Sequence, residues 1–452
     1  MASTRKPKRA ERANRDLLPL LREQLANRVP SGSRIVVALS GGVDSVVLLD
    51  LLQRLAKRRT WRLSALHVNH QLQPAAADWA KFCRRLCRAA GVPLKVVKVG
   101  VPAGNSVEGN ARRARYAALL AQPADYVALA HNQDDQAETV LLHLLRGAGV
   151  RGLVGMQPLS AAPFRVKDRE TARLLRPLLD VPRSAIERYA AQRKLAWVED
   201  PSNASADFTR NFLRVDVLPR LAQRFPAYRE ALVRTARHAA EAARLLDELA
   251  QQDGAADGLS TAVLRKLAPL RAKNALSAFL RGQGVELPSA ERLDEALRQL
   301  LEARRDARVC IAFGDCQLRV HDGKLVVAPT VGVPALADRT WQGEPSMALP
   351  ELGGTLVMER AQGAGISLAR LAAAPVTVRL RRGGERLRPR ARGATRTVKN
   401  LMQEARMPAW ERDRLPFIYC GEALVCVPGL AIDSAFAAVP WESAVVPVWR
   451  RD

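Results

Sequence analysis

Val36–Ser45 reads VVALSGGVDS, a run of branched apolar residues that stops at two glycines, two serines and one acid. Apolar residues on both faces of a short run predict a strand covered on both sides, as in a parallel sheet. The next residues, DSVVLLDLLQRLAKR, carry their valines and leucines at helical spacing. Strand, glycine turn and helix in that order make Ser40, Gly41, Gly42, Val43, Asp44 and Ser45 a candidate anion cradle, where helix N-terminal N–H groups and hydroxyls converge. Glycine allows close backbone approach to a phosphate, and Asp44 makes sense in such a place if it holds a cation. The lysine of the G-x-x-x-x-G-K-[ST] loop is absent, so the pattern suits a pyrophosphate better than γ-phosphate transfer.

Outward from this stretch the alternation continues. WRLSALHVNH, PLKVVKV and ADYVALAH read as strands, and AAADWAKFCRRLCRAA, NARRARYAALLA and DQAETVLLHLLRG read as helices. The expected fold is α/β, a doubly wound parallel sheet, followed by a helical middle domain and a small mixed α/β C-terminal domain. Ligands of such sheets sit beyond the carboxyl ends of the strands. The strands ending at Ser40, His70 and His131 therefore bring their polar groups to one edge. The expected division is a basic N-terminal arm over 1–30, a catalytic domain over 31–218, a mainly helical substrate-binding domain over 219–335 and a C-terminal RNA-binding domain over 336–452.

Of the 452 residues, 71 are Lys or Arg and 45 are Asp or Glu, a formal net charge of +26. Such an excess favours a polyanionic partner, nucleic acid first. The six cysteines, Cys83, Cys87, Cys310, Cys316, Cys420 and Cys426, match neither a C-x-x-C redox pair nor a paired zinc pattern, and are expected as reduced, mostly buried thiols. The polar start MASTRKPKRAERANRD lacks the apolar stretch of a signal peptide, and no segment has the roughly 18 uninterrupted apolar residues of a membrane span. A cytoplasmic protein without membrane contact is expected. Oligomeric state stays open, with a homodimer as one option.

The string SGGVDS after a strand resembles the pyrophosphate loop of the N-type ATP pyrophosphatases, enzymes that cleave ATP to AMP and diphosphate. Further motifs narrow the resemblance: NSVEGNARRARYAAL, ALAHNQDDQAETVLLHLLRGAGVRGLVGM, RPLL, WVEDPSN, TRNFLR, RRGGERLRP and TVKNLMQEARMPAWERDRLPFIYC. Together they are similar to the tRNA(Ile)-lysidine synthetases. That resemblance implies ATP and Mg²⁺ as cofactors, and an isoleucine tRNA with a CAU anticodon and free L-lysine as partners. The implied reaction adenylates C2 of the wobble cytidine, whose amide-like carbonyl needs a better leaving group, and the lysine amine then displaces AMP.

The resemblance also implies roles. Asp44 would hold Mg²⁺; Asp135 and Glu138, one helical turn apart, would bind and orient the lysine amine, one of them as acceptor of its proton, or either could instead help hold magnesium; Arg112 and Arg210 would act on phosphate or the activated base. His131 would join Ser40–Ser45 at the nucleotide. Arg214 would touch tRNA, as would Arg388, Arg390, Arg392 and Lys399 in a tail segment, 379–399, that has nine basic residues and one acid. Gln73 stands where the family commonly has arginine, which removes a phosphate contact there. Two other readings of the same loop are a tRNA thiolase, which would need a cysteine pair for sulfur transfer, and a non-catalytic RNA-binding protein, which would not need Asp44, Asp135 and Glu138.

Overall fold

The computed structural model describes residues 16–70, 75–100, 107–162, 171–199, 209–255, 258–304, 309–330 and 335–451. Gln73 and residues 1–15 and 200–208 lie outside these. The chain forms two compact units, Met1–Asp247 and Glu248–Asp452.

The first unit is a six-stranded sheet ordered β3-β2-β1-β4-β6-β5. Its strands are β1 (Arg34–Ala38), β2 (Arg62–Asn69), β3 (Leu94–Lys98), β4 (Tyr126–Ala128), β5 (Leu159–Ser160) and β6 (Arg173–Leu175). All neighbours pair in parallel except β5 with β6. Ile35 and Val37 of β1 join one apolar cluster and Val36 joins another, so side-chain alternation sends β1 into two cores at once. Helices α1 (Leu17–Ala26), α2 (Val43–Arg59), α3 (Ala76–Ala90) and later α6 (Arg183–Gln192) contribute to the first cluster; α4 (Val107–Leu120) contributes Tyr116, Leu119 and Leu120 to the second. Helix α5 (Gln133–Leu145) follows β4. The strand order places β1 and β4 side by side, so the turns after them share one rim of the sheet.

Residues 17–29, placed in the basic arm by composition, are not an arm. Asp16 caps α1 by accepting from Leu18 N–H, and Leu17, Leu21, Leu25 and Val29 are buried in the core beside α2. The four-residue apolar period outweighs the surrounding arginines, because each buried leucine contributes about 1.5–3 kcal/mol.

After α6 come a helical turn (Thr209–Phe212), a π-helical turn (Leu213–Val217), α7 (Leu218–Arg224) and α8 (Tyr228–Gln252). In the second unit α9 (Thr261–Lys266), α10 (Pro269–Gly282) and α11 (Ala290–Glu302) pack with an antiparallel meander of β7 (Cys310–Phe313), β8 (Cys316–His321) and β9 (Lys324–Pro329). Ser289 caps α11 through Arg292 N–H, as its position before the amphipathic run predicts. The polar QQDGAADGLS stretch resembles a linker but begins inside α8, and its Asp253 is buried against Arg271.

The remainder is antiparallel. One sheet comprises β10 (Arg339–Trp341), β14 (Val376–Arg379), β17 (Phe417–Cys420), β18 (Ala423–Val427) and β19 (Ala431–Ile432), in that order. A second, ordered β11-β12-β20-β13, comprises β11 (Ser346–Leu349), β12 (Gly354–Gln362), β13 (Ile366–Ser367) and β20 (Ser443–Arg451). Along β17 the side chains alternate between cores: Ile418 and Cys420 face residues of the second sheet, while Phe417 and Tyr419 pack with Leu387, Val398 and Met402. The latter belong to a small hairpin, β15 (Arg386–Leu387) with β16 (Arg396–Thr397), and to α12 (Val398–Glu404). Among the described residues no helix is long and apolar enough to cross a membrane.

Candidate active site

The turn after β1 is closed by its own hydroxyls. Gly41 N–H donates to Ser45 Oγ at 3.1 Å, Ser45 Oγ donates to Gly42 O at 2.9 Å, and Gly42 N–H donates to Ser40 Oγ at 3.3 Å. Gly42 is the N-cap of α2 and no side chain caps it, so the positive helix end is left to an anion. The two glycines differ. Gly41 has φ +98°, and a Cβ there would lie 2.8 Å from Val198 Cγ2 and 3.3 Å from Cys83 Sγ; at Gly42 the nearest atoms are 3.6 Å or more away. Val198 N–H also donates to Gly41 O at 3.0 Å. Gly41 is thus required by the protein's own packing, and Gly42 is the one with an open approach.

The turn after β4 is built from acceptors. Asn132 caps α5: its side-chain oxygen accepts from Asp134 N–H at 2.9 Å and Asp135 N–H at 3.1 Å, and Asp135 Oδ2 accepts from Asn132 N–H at 3.0 Å. The other end of the Asn132 amide donates to Asp44 Oδ1 at 3.1 Å, which ties the two turns together. Glu138, one turn further on, has a side chain only 2% exposed. Arg214 Nε donates to Glu138 Oε1 at 2.7 Å, and its Nη2 donates to Glu138 Oε2 at 2.9 Å and to Asp135 Oδ1 at 3.2 Å. Arg214, expected at the tRNA, sits on the carboxylate pair. Asp134 is turned to other partners, Arg183 N–H at 3.0 Å and Arg229 Nε at 2.5 Å.

Burial raises the pKa of Asp44, opposed by Arg183 and reinforced by Asp135. Burial likewise raises Glu138, opposed by its bonds to Arg214. Both remain acids whose ionised form needs a nearby cation.

Directly before Asn132 in the chain is His131, whose buried Nδ1 has no partner among the described residues. Burial first, then the charges of Arg176, Arg112, Arg115 and Arg210, hold its pKa well below the ordinary value, so the ring is neutral. Arg112 donates to Tyr116 OH at 3.3 Å and lies over that ring. Arg210 donates to Thr139 Oγ1 at 3.3 Å. The buried Arg176 donates to Gln157 O at 2.8 Å and Ser160 Oγ at 3.1 Å. Among the described residues none of Arg112, Arg176 and Arg210 forms an ion pair with a carboxylate, though Arg210 lies near enough to Glu138 to lower its pKa; guanidinium groups around a neutral ring favour an anion. His67 is structural, its Nδ1 bonded to Leu39 O at 2.9 Å.

Sequence reasoning missed Asn132, Arg176, Arg183 and Val198. Asn132 directly before two acids carries a capping signal; Arg176 and Val198 lie in quoted motifs, but nothing local says what they touch.

In the second unit, Arg388, Arg390, Arg392 and Lys399 are exposed and have no ion pair among the described residues. Two members of the same basic run are structural: Arg379 is buried over the Tyr419 ring and donates to Gly421 O at 2.9 Å, and Arg396 pairs with Glu404. The run is anchored at Leu387 and Val398, both buried, and by Arg388 N–H on Asp433 Oδ2 at 2.8 Å. Trp410 packs against Arg319 and His321 rather than standing free.

All six cysteines are free; four are buried, Cys310 is exposed and Cys316 is partly so. Burial pushes the Cys83 thiol up to about 12 and the Cys87 thiol up to about 11. Neither is a nucleophile at neutral pH, which argues against sulfur transfer.

Family models match in chain order: a PP-loop domain over residues 11–221, a TilS substrate binding domain over 259–326 and a TilS substrate C-terminal domain over 376–449. The tRNA(Ile)-lysidine synthase of Nitrosomonas europaea is 40% identical over 442 residues, covering 96% of either chain. That of Ralstonia nicotianae is 42% identical, covering 92% of this chain and 94% of its own. That of Coxiella burnetii is 39% identical, covering 90% and 91%. With this identity sustained across all three matched domains, the chain belongs to the tRNA(Ile)-lysidine synthase family.

Proposed function

We propose that this enzyme uses ATP to join free lysine to C2 of the wobble cytidine of an isoleucine tRNA with a CAU anticodon. The observation that carries the reading is the Asn132–Asp44 link, which holds a turn rich in N–H and hydroxyl groups against a turn rich in carboxylates. One suits phosphates and the other suits a cationic amine.

In the first step the cytidine C2 oxygen attacks the α-phosphorus of ATP, and diphosphate leaves from the Ser40–Ser45 turn. Arg112, Arg176 and Arg210, without an ion pair among the described residues, offset the phosphate charge. In the second step the lysine amine attacks C2, the C2–O bond breaks and AMP leaves. The amine must shed a proton, and Glu138, its pKa raised by burial, is a better acceptor than an ordinary carboxylate. Asp135 orients the amine.

Among the described residues no three His, Cys, Asp or Glu side chains converge as a metal site. That fits magnesium, which commonly rides on nucleotide phosphates and takes one or two protein carboxylates. Asp44 would hold it, and the ion would neutralise charge on the departing diphosphate. The exposed Arg388, Arg390, Arg392 and Lys399 give the second unit a phosphate-binding face for the tRNA.

The test is product analysis with purified protein, tRNA transcript, ATP, magnesium and lysine. AMP and diphosphate, made in multiple turnover only with both tRNA and lysine, are expected; ADP and orthophosphate would overturn the reading.

A further inference from the structure

The carboxylate pair already has a partner at every oxygen. Of its four oxygens, Glu138 Oε1 and Oε2 and Asp135 Oδ1 accept from Arg214, and Asp135 Oδ2 accepts from Asn132 N–H. A primary ammonium brings three donors and would compete for the oxygens that the guanidinium holds. Glu138 is buried, and among the described residues Arg214 is the cation bonded to it; a buried carboxylate deprived of its bonded counter-ion is strongly disfavoured. One cation can therefore leave only as another arrives.

Arg214 is suited to leaving. Its side chain is 35% exposed, against 2% for Glu138, so water reaches it from one side. It sits in the π turn Leu213–Val217, where Leu218 N–H reaches back five residues to Leu213 O. Such turns are scarce in helices and concentrate at functional sites. Resolving one to ordinary α spacing shifts the register by a residue, which re-aims a side chain by roughly 100° about the axis.

We propose that Arg214 is a resident counter-cation in the amine site: it occupies the position of the lysine ammonium in the free enzyme and is displaced when lysine binds. Arg214 thus sets lysine affinity and keeps other small cations from neutralising the pair. The proposal rests on the reading that Asp135 and Glu138 receive the lysine amine.

The experiment uses full-length protein and reads two quantities: KM and kcat for lysine in tRNA ligation at alkaline pH, and diphosphate release in a single turnover without lysine. Arg214→Gln is expected to lower KM for lysine about tenfold, whatever the change in single-turnover release. A KM that is unchanged or higher overturns the displacement. Should Arg214→Gln melt too low for kinetics, Arg214→Lys retains a cation with fewer contacts, and its KM must fall below that of the wild type. Glu138→Gln separates the two claims. If it raises KM at least tenfold while Arg214→Gln does not lower it, only the displacement fails; if it leaves KM unchanged, the carboxylate assignment fails with it.

Discussion

The turns after β1 and β4 sit side by side on one sheet and are opposites. The first is short, glycine-containing and lined with donors; its only charge is Asp44. The second is a capped helix start whose charges are carboxylates, each met by an arginine or an N–H group. Neighbouring parallel strands present their carboxyl ends at the same rim, so one fold can hold an anionic and a cationic substrate within a side chain's reach. Asn132 enforces the proximity, accepting from the second turn's backbone and donating to the first turn's acid.

The comparison breaks most visibly at Asp44. Asp44→Ala is expected to lower AMP formation on the order of 10³-fold, as loss of an electrostatic contact to a developing charge does. Filter-binding affinity for tRNA should stay within twofold, and a parallel loss there would mean that the first turn serves RNA binding as well.

Both turns are tested by pH. Asp44 and Glu138 both have raised pKa values, chiefly from burial, and both must be ionised to hold cations. Protonation removes that ability, so the acid limb of kcat/KM for lysine should lie above the ordinary carboxylate range. Arg214 holds the Glu138 value down, so Arg214→Gln should move the limb higher still. A limb at ordinary carboxylate values would place the titration elsewhere.

A smaller effect separates the two glycines. Gly41→Ala should cost about 1–2 kcal/mol for its left-handed backbone, beyond the clash with Val198, and lower the melting temperature. Val198→Ala should recover part of that loss when combined with it. Gly42→Ala should leave the melting temperature nearly unchanged and raise KM for ATP. The reverse pattern would exchange the roles of the two positions.

The mildest effect is expected far from both turns. Replacing Arg388, Arg390 and Arg392 with serine should lower the slope of log K for tRNA against log salt by about 2, at roughly 0.7 to 0.9 per phosphate contact. Single-turnover chemistry at saturating tRNA should be unaffected.

The first unit was legible because its determinants are local. RIVVA and YVA are apolar on both faces, and the polar residues that follow them mark the rim. What could not be read was long-range. Arg214 and Glu138 are 76 residues apart, and Asn132 and Asp44 are 88 apart; no spacing rule links such pairs. Val198 packs on Gly41 from a segment whose polar flank suggests a loop. The C-terminal sheets were hard to read for a similar reason. FIYC is apolar at every position because β17 is covered on both faces, and such a run fits strand or helix equally until its partners are known. The basic arm was misread because charge dominates its composition while three leucines decide its position.

The seating of the 388–392 arginines between buried Leu387 and buried Val398 bears on how tightly the proposed tRNA face would grip RNA. A floppy polycation loses conformational freedom when it settles on a phosphate chain, and that loss subtracts from its attraction. Here both ends of the loop are held by buried residues, so on the proposed tRNA contact less freedom would be lost than in an untethered arm, and each exposed guanidinium would deliver more of its Coulombic pull as affinity.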